Sequence, residues 1–143
     1  MNARNILYWI ATAITAFIFL SGGVADVLRP SFAVQGMRHL GYPDYFMVIL
    51  GVWKVLGGLT VLSPRLPRLK EWAYAGMMFD LTGAAASHAA TGDPLGKAIV
   101  PLILFGIVIA SWALRPRSRR LCDLGLPSSS QSTANVPEAV AVS

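Results

Sequence analysis

Four long apolar runs divide the chain: Ile6 to Ala25, Tyr45 to Leu62, Trp72 to Ala90 and Ala98 to Leu114. Each covers about 17 to 20 residues, near the length a helix needs to cross a hydrocarbon layer about 30 Å thick. Polar and turn-forming residues punctuate them. The first connection, Val27 to Asp44, holds Pro30, Gly36, Gly41 and Pro43, with the apolar Phe32, Met37, Leu40 and Tyr42 between them. Its length and apolar character predict a short re-entrant or interfacial segment folded back on the bundle. The second connection, Ser63 to Glu71, is short and contains Pro64 and Pro67, so the runs on either side should be antiparallel neighbours. The turn Thr91 to Gly96 leads into the last run, where Pro101 is expected in the first helical turn. The pattern predicts an all-α fold: a four-helix transmembrane bundle forming one domain over residues 1–120, then a disordered cytoplasmic tail over residues 121–143.

Composition supports a lipid-facing chain. Of 143 residues, 55% are hydrophobic and 13% charged, and the mean hydropathy of +0.56 lies well to the apolar side of ordinary soluble domains. The net charge of +5 raises nucleic acid as a partner, but the basic residues flank the apolar runs instead of forming a patch interleaved with aromatics. They read as topology signals. Arg4, Arg65, Arg68, Lys70, Arg115, Arg117, Arg119 and Arg120 fall on one side, and only Arg29, Arg38 and Lys97 on the other. The positive-inside rule then places both termini in the cytoplasm, with the first and third connections outside, in a chain that crosses the membrane several times. A cleaved secretory signal is the competing reading of the first run, which exceeds the usual signal core of about 7 to 15 residues. The lone cysteine, Cys122, excludes an intramolecular disulfide and CxxC thiol chemistry.

Against this background the polar residues inside the runs stand out. Asp80 lies near the middle of the third run and Lys54 near the middle of the second. An isolated charge at that depth costs about 2.5–3.5 kcal/mol on insertion scales, so antiparallel packing should pair the two. On a helix, Gly51 lies about 60° and Gly58 about 40° from Lys54, which puts the lysine on a small-residue face turned into the bundle. Ser87 returns to within about 20° of Asp80, whereas His88 is turned by about 80° and lies about 12 Å further along the axis. Asp26 ends the first run, where Ser21, Gly22, Gly23 and Ala25 would let another helix approach closely. Asp26 and His88, joined by His39, form a second candidate cluster able to pass a proton or hold a polar quinone edge. Tyr8, Trp9, Trp53, Trp72, Tyr74 and Trp112 read as interfacial belt residues. Two histidines and a distant cysteine give no metal-ligand spacing, and no catalytic constellation is visible.

The segment Gly41, Tyr42, Pro43 leading into LGVWKVLGGLTVLSPRLPRLKEWAYAGMMFDLTGAAASHAATGD resembles the DoxX-like family of small four-helix bacterial membrane proteins. The resemblance runs from about Asn5 to Leu114. Lys54, Gly57, Lys70, Glu71, Trp72, Ala73, Gly76, Asp80, Gly83, Ser87 and His88 all take places in the family pattern. It implies the four-helix membrane fold. Because relatives in the wider group include a membrane subunit of a thiosulfate:quinone oxidoreductase and a partner in oxidative-stress complexes, it also implies an accessory role in a quinone-linked redox system. In that reading Asp26, Lys54, Asp80, Ser87 and His88 line a polar pocket for a quinone or another small amphiphile. The expected surroundings and partners are the lipid bilayer, a membrane or peripheral oxidoreductase and further copies of the chain, with no metal. Two alternatives stand beside it: a small proton-coupled transporter using Lys54 and Asp80 as the coupling pair, and a structural scaffold whose charges serve packing alone.

Overall fold

The computed structural model describes residues 3–116, so the tail expected over residues 121–143, with Cys122, and the arginines at 117, 119 and 120 lie outside the described residues. Within them the fold is all-α, with five helices: α1 (Ala3–Leu28), α2 (Ser31–His39), α3 (Asp44–Leu62), α4 (Pro67–Ala90) and α5 (Leu95–Ala113). Three of these, α1, α3 and α5, are long and apolar enough to cross a membrane. At 24 residues α4 has the length, but Arg68, Lys70, Glu71, Asp80 and His88 dilute its apolar character.

Two helix starts differ from those the hydropathy pattern marks. α4 begins at Pro67, not Trp72. A proline lacks the amide hydrogen that the first helical position leaves unused, so Pro67 opens the helix and carries Lys70 and Glu71 into it. α5 begins at Leu95, which moves Pro101 out of the first turn and into the helix interior. There it removes one backbone hydrogen bond, and its ring is buried in the packing.

The four long helices form a ring in the order α1, α3, α4, α5, each packed against two neighbours. Phe19, Val61, Tyr74, Met77, Leu81 and Val108 fill its centre. Helix α2 occupies the first connection and packs on α3 and α1 without burying any residue of its own. The chain reaches it through Arg29, whose φ of 54° lies in the left-handed region that non-glycine residues seldom adopt. Arg29 and Arg38 then both bind Asp44 at the start of α3, at 3.1 and 2.6 Å.

The crossing of α1 and α3 positions the candidate site. Gly23 and Gly51 face each other so closely that a Cβ on either would lie 2.7 Å from the other's carbonyl oxygen. Gly58 abuts Leu20 in the same way. The small-residue face expected from the sequence is thus the α1 contact, although Gly22 itself meets open space. Only glycine permits this approach, and it brings the Asp26 end of α1 over Lys54.

Candidate functional site

Lys54 projects from α3 between two carboxylates. Its Nζ donates to Asp26 Oδ2 on α1 at 3.0 Å and stands 3.8 Å from Asp80 Oδ2 on α4. All three side chains are largely enclosed, with exposures of 21, 14 and 16% for Lys54, Asp26 and Asp80. The pairing of Lys54 with Asp80 expected from depth alone is present, but as the looser arm of a three-membered cluster. Asp26 is the tighter partner because the Gly23–Gly51 crossing draws α1 onto α3. No described residue donates a hydrogen bond to Asp80 within 3.5 Å; the 3.8 Å ion pair is its contact with Lys54.

Lys54 and Asp80 also line a groove between α3 and α4. The cavity measures about 560 Å³ and is walled by apolar side chains, among them Phe19, Leu56, Met77, Trp53 and Trp72. Trp53 and Trp72 are exposed on the outer surface of the ring, so the groove opens sideways. Small residues make the room. Gly57 and Gly76 both line it, and a Cβ on Gly76 would meet no atom within 4 Å. A chamber with an apolar body, a lateral mouth and charged groups in its lining can hold a molecule that is itself apolar with a polar end.

The remaining predicted residues gather elsewhere. Ser87 does not join Asp80; its hydroxyl shares a 2.8 Å hydrogen bond with Tyr42, from the segment between α2 and α3. Seven residues of helix separate Ser87 from Asp80, about 10 Å of rise, so a shared face does not make a contact. His88 does not meet Asp26. Both His88 and His39 turn to Asp93, at 2.8 and 3.0 Å, and Lys97 binds the same carboxylate at 2.9 Å. These contacts hold the Asp93 carboxyl well below the usual carboxylate range, the hydrogen bond with His88 contributing most and that from Lys97 next. Asp93 was legible only as a turn residue before Pro94. The signal for its role was the flanking pair His88 and Lys97, five residues before and four after it.

A second polar cluster lies at the opposite end of the ring, and the sequence pattern conceals it. Tyr8 and Tyr74, expected in an interfacial belt, are fully buried. Ser111 Oγ lies 2.8 Å from both Tyr74 Oη and Thr12 Oγ1, linking α5 to α4 and α1 through hydroxyl groups. Lys70 and Arg115, expected as exposed topology charges, are 1 and 3% exposed. Arg115 donates to Glu71 Oε1 at 2.6 Å and lies over the Tyr74 ring, while Trp112 Nε1 donates to Glu71 Oε2 at 2.9 Å. Hydropathy marks the ends of runs, and it cannot tell a flanking tyrosine or arginine turned into the bundle from one turned to the headgroups. Among the described residues no group of three histidine, cysteine or acidic side chains is arranged to hold a metal ion.

A ring of long apolar helices around buried charges defines a small helical membrane protein. The chain belongs to the DoxX-like family, whose pattern it matches over residues 10–111. It is also similar to the uncharacterized protein YdgD of Bacillus subtilis (strain 168), with 32% identity over 74 residues, covering 52% of this chain and 64% of that protein. The chain therefore spans less than two thirds of that relative's length. No solved structure matches it.

Proposed function

We propose that this is a four-span protein of the bacterial inner membrane, with both termini cytoplasmic, that admits a small amphiphile from the bilayer through the groove between α3 and α4. The first ligand to try is a quinone, the class suggested by the family resemblance, with the protein acting as a small subunit or accessory of a quinone-linked redox system. The observation that carries the reading is the groove itself: an apolar body between α3 and α4, exposed Trp53 and Trp72 on its lining, and Lys54 and Asp80 as its charged residues. α4 counts as the fourth span because its 24 residues extend about 36 Å and its midspan charge is engaged by Lys54. Residues 1–120 make one membrane domain in this reading.

A titration of purified protein with short-chain ubiquinone and menaquinone analogues, followed by tryptophan fluorescence, tests it. Gly76→Phe should project into the groove, since a Cβ there meets no atom within 4 Å, and should weaken binding at least tenfold. Saturable binding that is indifferent to Gly76→Phe would place the ligand elsewhere; no saturable binding of any amphiphile at micromolar concentration would end the proposal.

A structural reading has its own supporting observation. Lys54 ties α1 to α4 across α3, so the cluster fixes the register of three helices. Replacing all three charged residues by apolar ones separates the readings: stability survives in both, but function is lost only if the groove needs its charges.

A further inference from the structure

Lys54 and Asp80 line the groove and Asp26 stands behind them, and the charges of this cluster do not balance. Asp26 and Asp80 supply two carboxylates and Lys54 a single ammonium. No other element packed against Asp80 supplies a charge: α5 carries only Lys97, at its first turn and already bound to Asp93, and His88 is bound to Asp93 as well. The imbalance falls on Asp80. Lys54 gives its short hydrogen bond to Asp26 and remains 3.8 Å from Asp80, which lines the groove and has no hydrogen bond within 3.5 Å from any described residue. A neutral headgroup that only accepts hydrogen bonds leaves this carboxylate as it is, whereas a positive charge compensates it. The walls suit the same class of guest, because the tryptophans and Phe19 offer apolar area together with ring faces that attract cations.

We infer that the groove binds an organic cation with an apolar body, its positive charge at Asp80 and its body lying along α3 and α4 toward Trp72. The inference rests on the groove being an entry for bilayer-borne molecules, as proposed above, and narrows the ligand to the cationic members of that class. A proton and the cation compete for one carboxylate. Entry of the cation releases any proton that Asp80 holds, so charge at the site is conserved.

The test uses the full chain in lipid nanodiscs and three probes: tetraphenylphosphonium as the cation, triphenylphosphine oxide as its neutral counterpart, and a short-chain ubiquinone. Tetraphenylphosphonium should bind at least tenfold more tightly than the oxide. Gly76→Phe should abolish binding. Asp80→Asn should cost at least tenfold, while Asp80→Glu, which keeps the charge, should retain binding. Circular dichroism and size-exclusion profiles establish that each variant is folded; should Asp80→Asn fail that check, the comparison of the cation with its neutral counterpart still decides. Equal or tighter binding of the neutral probes overturns the inference and leaves the amphiphile groove standing. Saturable binding by none of the three overturns both.

Discussion

Lys54 serves two acids, and this makes it the least replaceable of the three charged residues. Truncating Asp26 or Asp80 leaves one ion pair intact, but removing Lys54 leaves two carboxylates a few ångströms apart in a low-dielectric interior. Lys54→Met should therefore destabilise the protein by about 3–5 kcal/mol, measured as a lowered midpoint of thermal unfolding in mild detergent. The triple change Lys54→Met, Asp26→Leu, Asp80→Leu should recover most of that loss; a triple variant as unstable as the single one would mean that the charges hold the fold in some further way. Asp93, in the turn between α4 and α5, makes a separate prediction. Its carboxyl is held below the ordinary range in the folded state, so the stability it contributes is complete above the unfolded pKa of about 3.9 and disappears as pH falls through the lower folded value. An acid series of melting curves should show wild type losing stability below about pH 4, and Asp93→Asn should flatten that part of the curve. A variant with an unchanged acid limb would remove Asp93 from the account.

At the scale of helices, the contact between α1 and α3 sets the site more than any side chain does. A methyl group on Gly51 would lie 2.7 Å from the Gly23 carbonyl oxygen and 2.8 Å from Asp26 Cβ, and backbone cannot yield as a flexible side chain would. Gly51→Ala should cost about 1–3 kcal/mol by overpacking and lengthen the Asp26–Lys54 contact, whereas Gly22→Ala, which meets open space, should be silent. Comparative melting of the two alanine variants checks this, and equal effects would refute the close crossing. The pattern of small residues in the sequence predicted such an approach, and the runs of apolar residues located four of the five helices within a few residues. What they concealed has a physical cause. Helical periodicity reports which residues share a face, so it placed Lys54 toward the bundle, but it does not report which neighbour that face meets. Asp26, at a helix end, and Asp93, in a turn, gain their partners only from the way helices cross. Tyr74 and Arg115 gain theirs only from being turned inward, a difference of rotation that leaves hydropathy unchanged.

For the whole molecule, burial changes how its orientation is argued. Lys70 and Arg115 belong to the packed interior at one end of the ring, so they are weaker topology signals than their position in the sequence suggests. Arg4, Arg65 and Arg68 stay exposed at that end. At the other end Arg29 and Arg38 are tied to Asp44, and Lys97 to Asp93. The bias also draws on the arginines at 117, 119 and 120, whose count in the sequence does not depend on their structure. Because orientation follows positive residues more than net charge, the proposed orientation has the Arg65 end in the cytoplasm and α2 on the opposite face, which labelling can test. Single-cysteine labelling in intact cells decides the matter, with Cys122 first changed to serine. Gln35→Cys on α2 and Arg65→Cys in the α3–α4 connection are both exposed positions on opposite ends of the ring. A membrane-impermeant maleimide should label the first and reach the second only after the cells are opened. The reverse pattern would invert the protein, and labelling of both in intact cells would mean that α3 does not span the membrane. The result also bears on the groove. With Arg65 inside, Leu69, Thr60 and Trp72 lie toward the cytoplasmic leaflet and Lys54 and Asp80 lie deeper, so a ligand following the groove would enter from the inner leaflet and carry its polar end toward the middle of the bilayer.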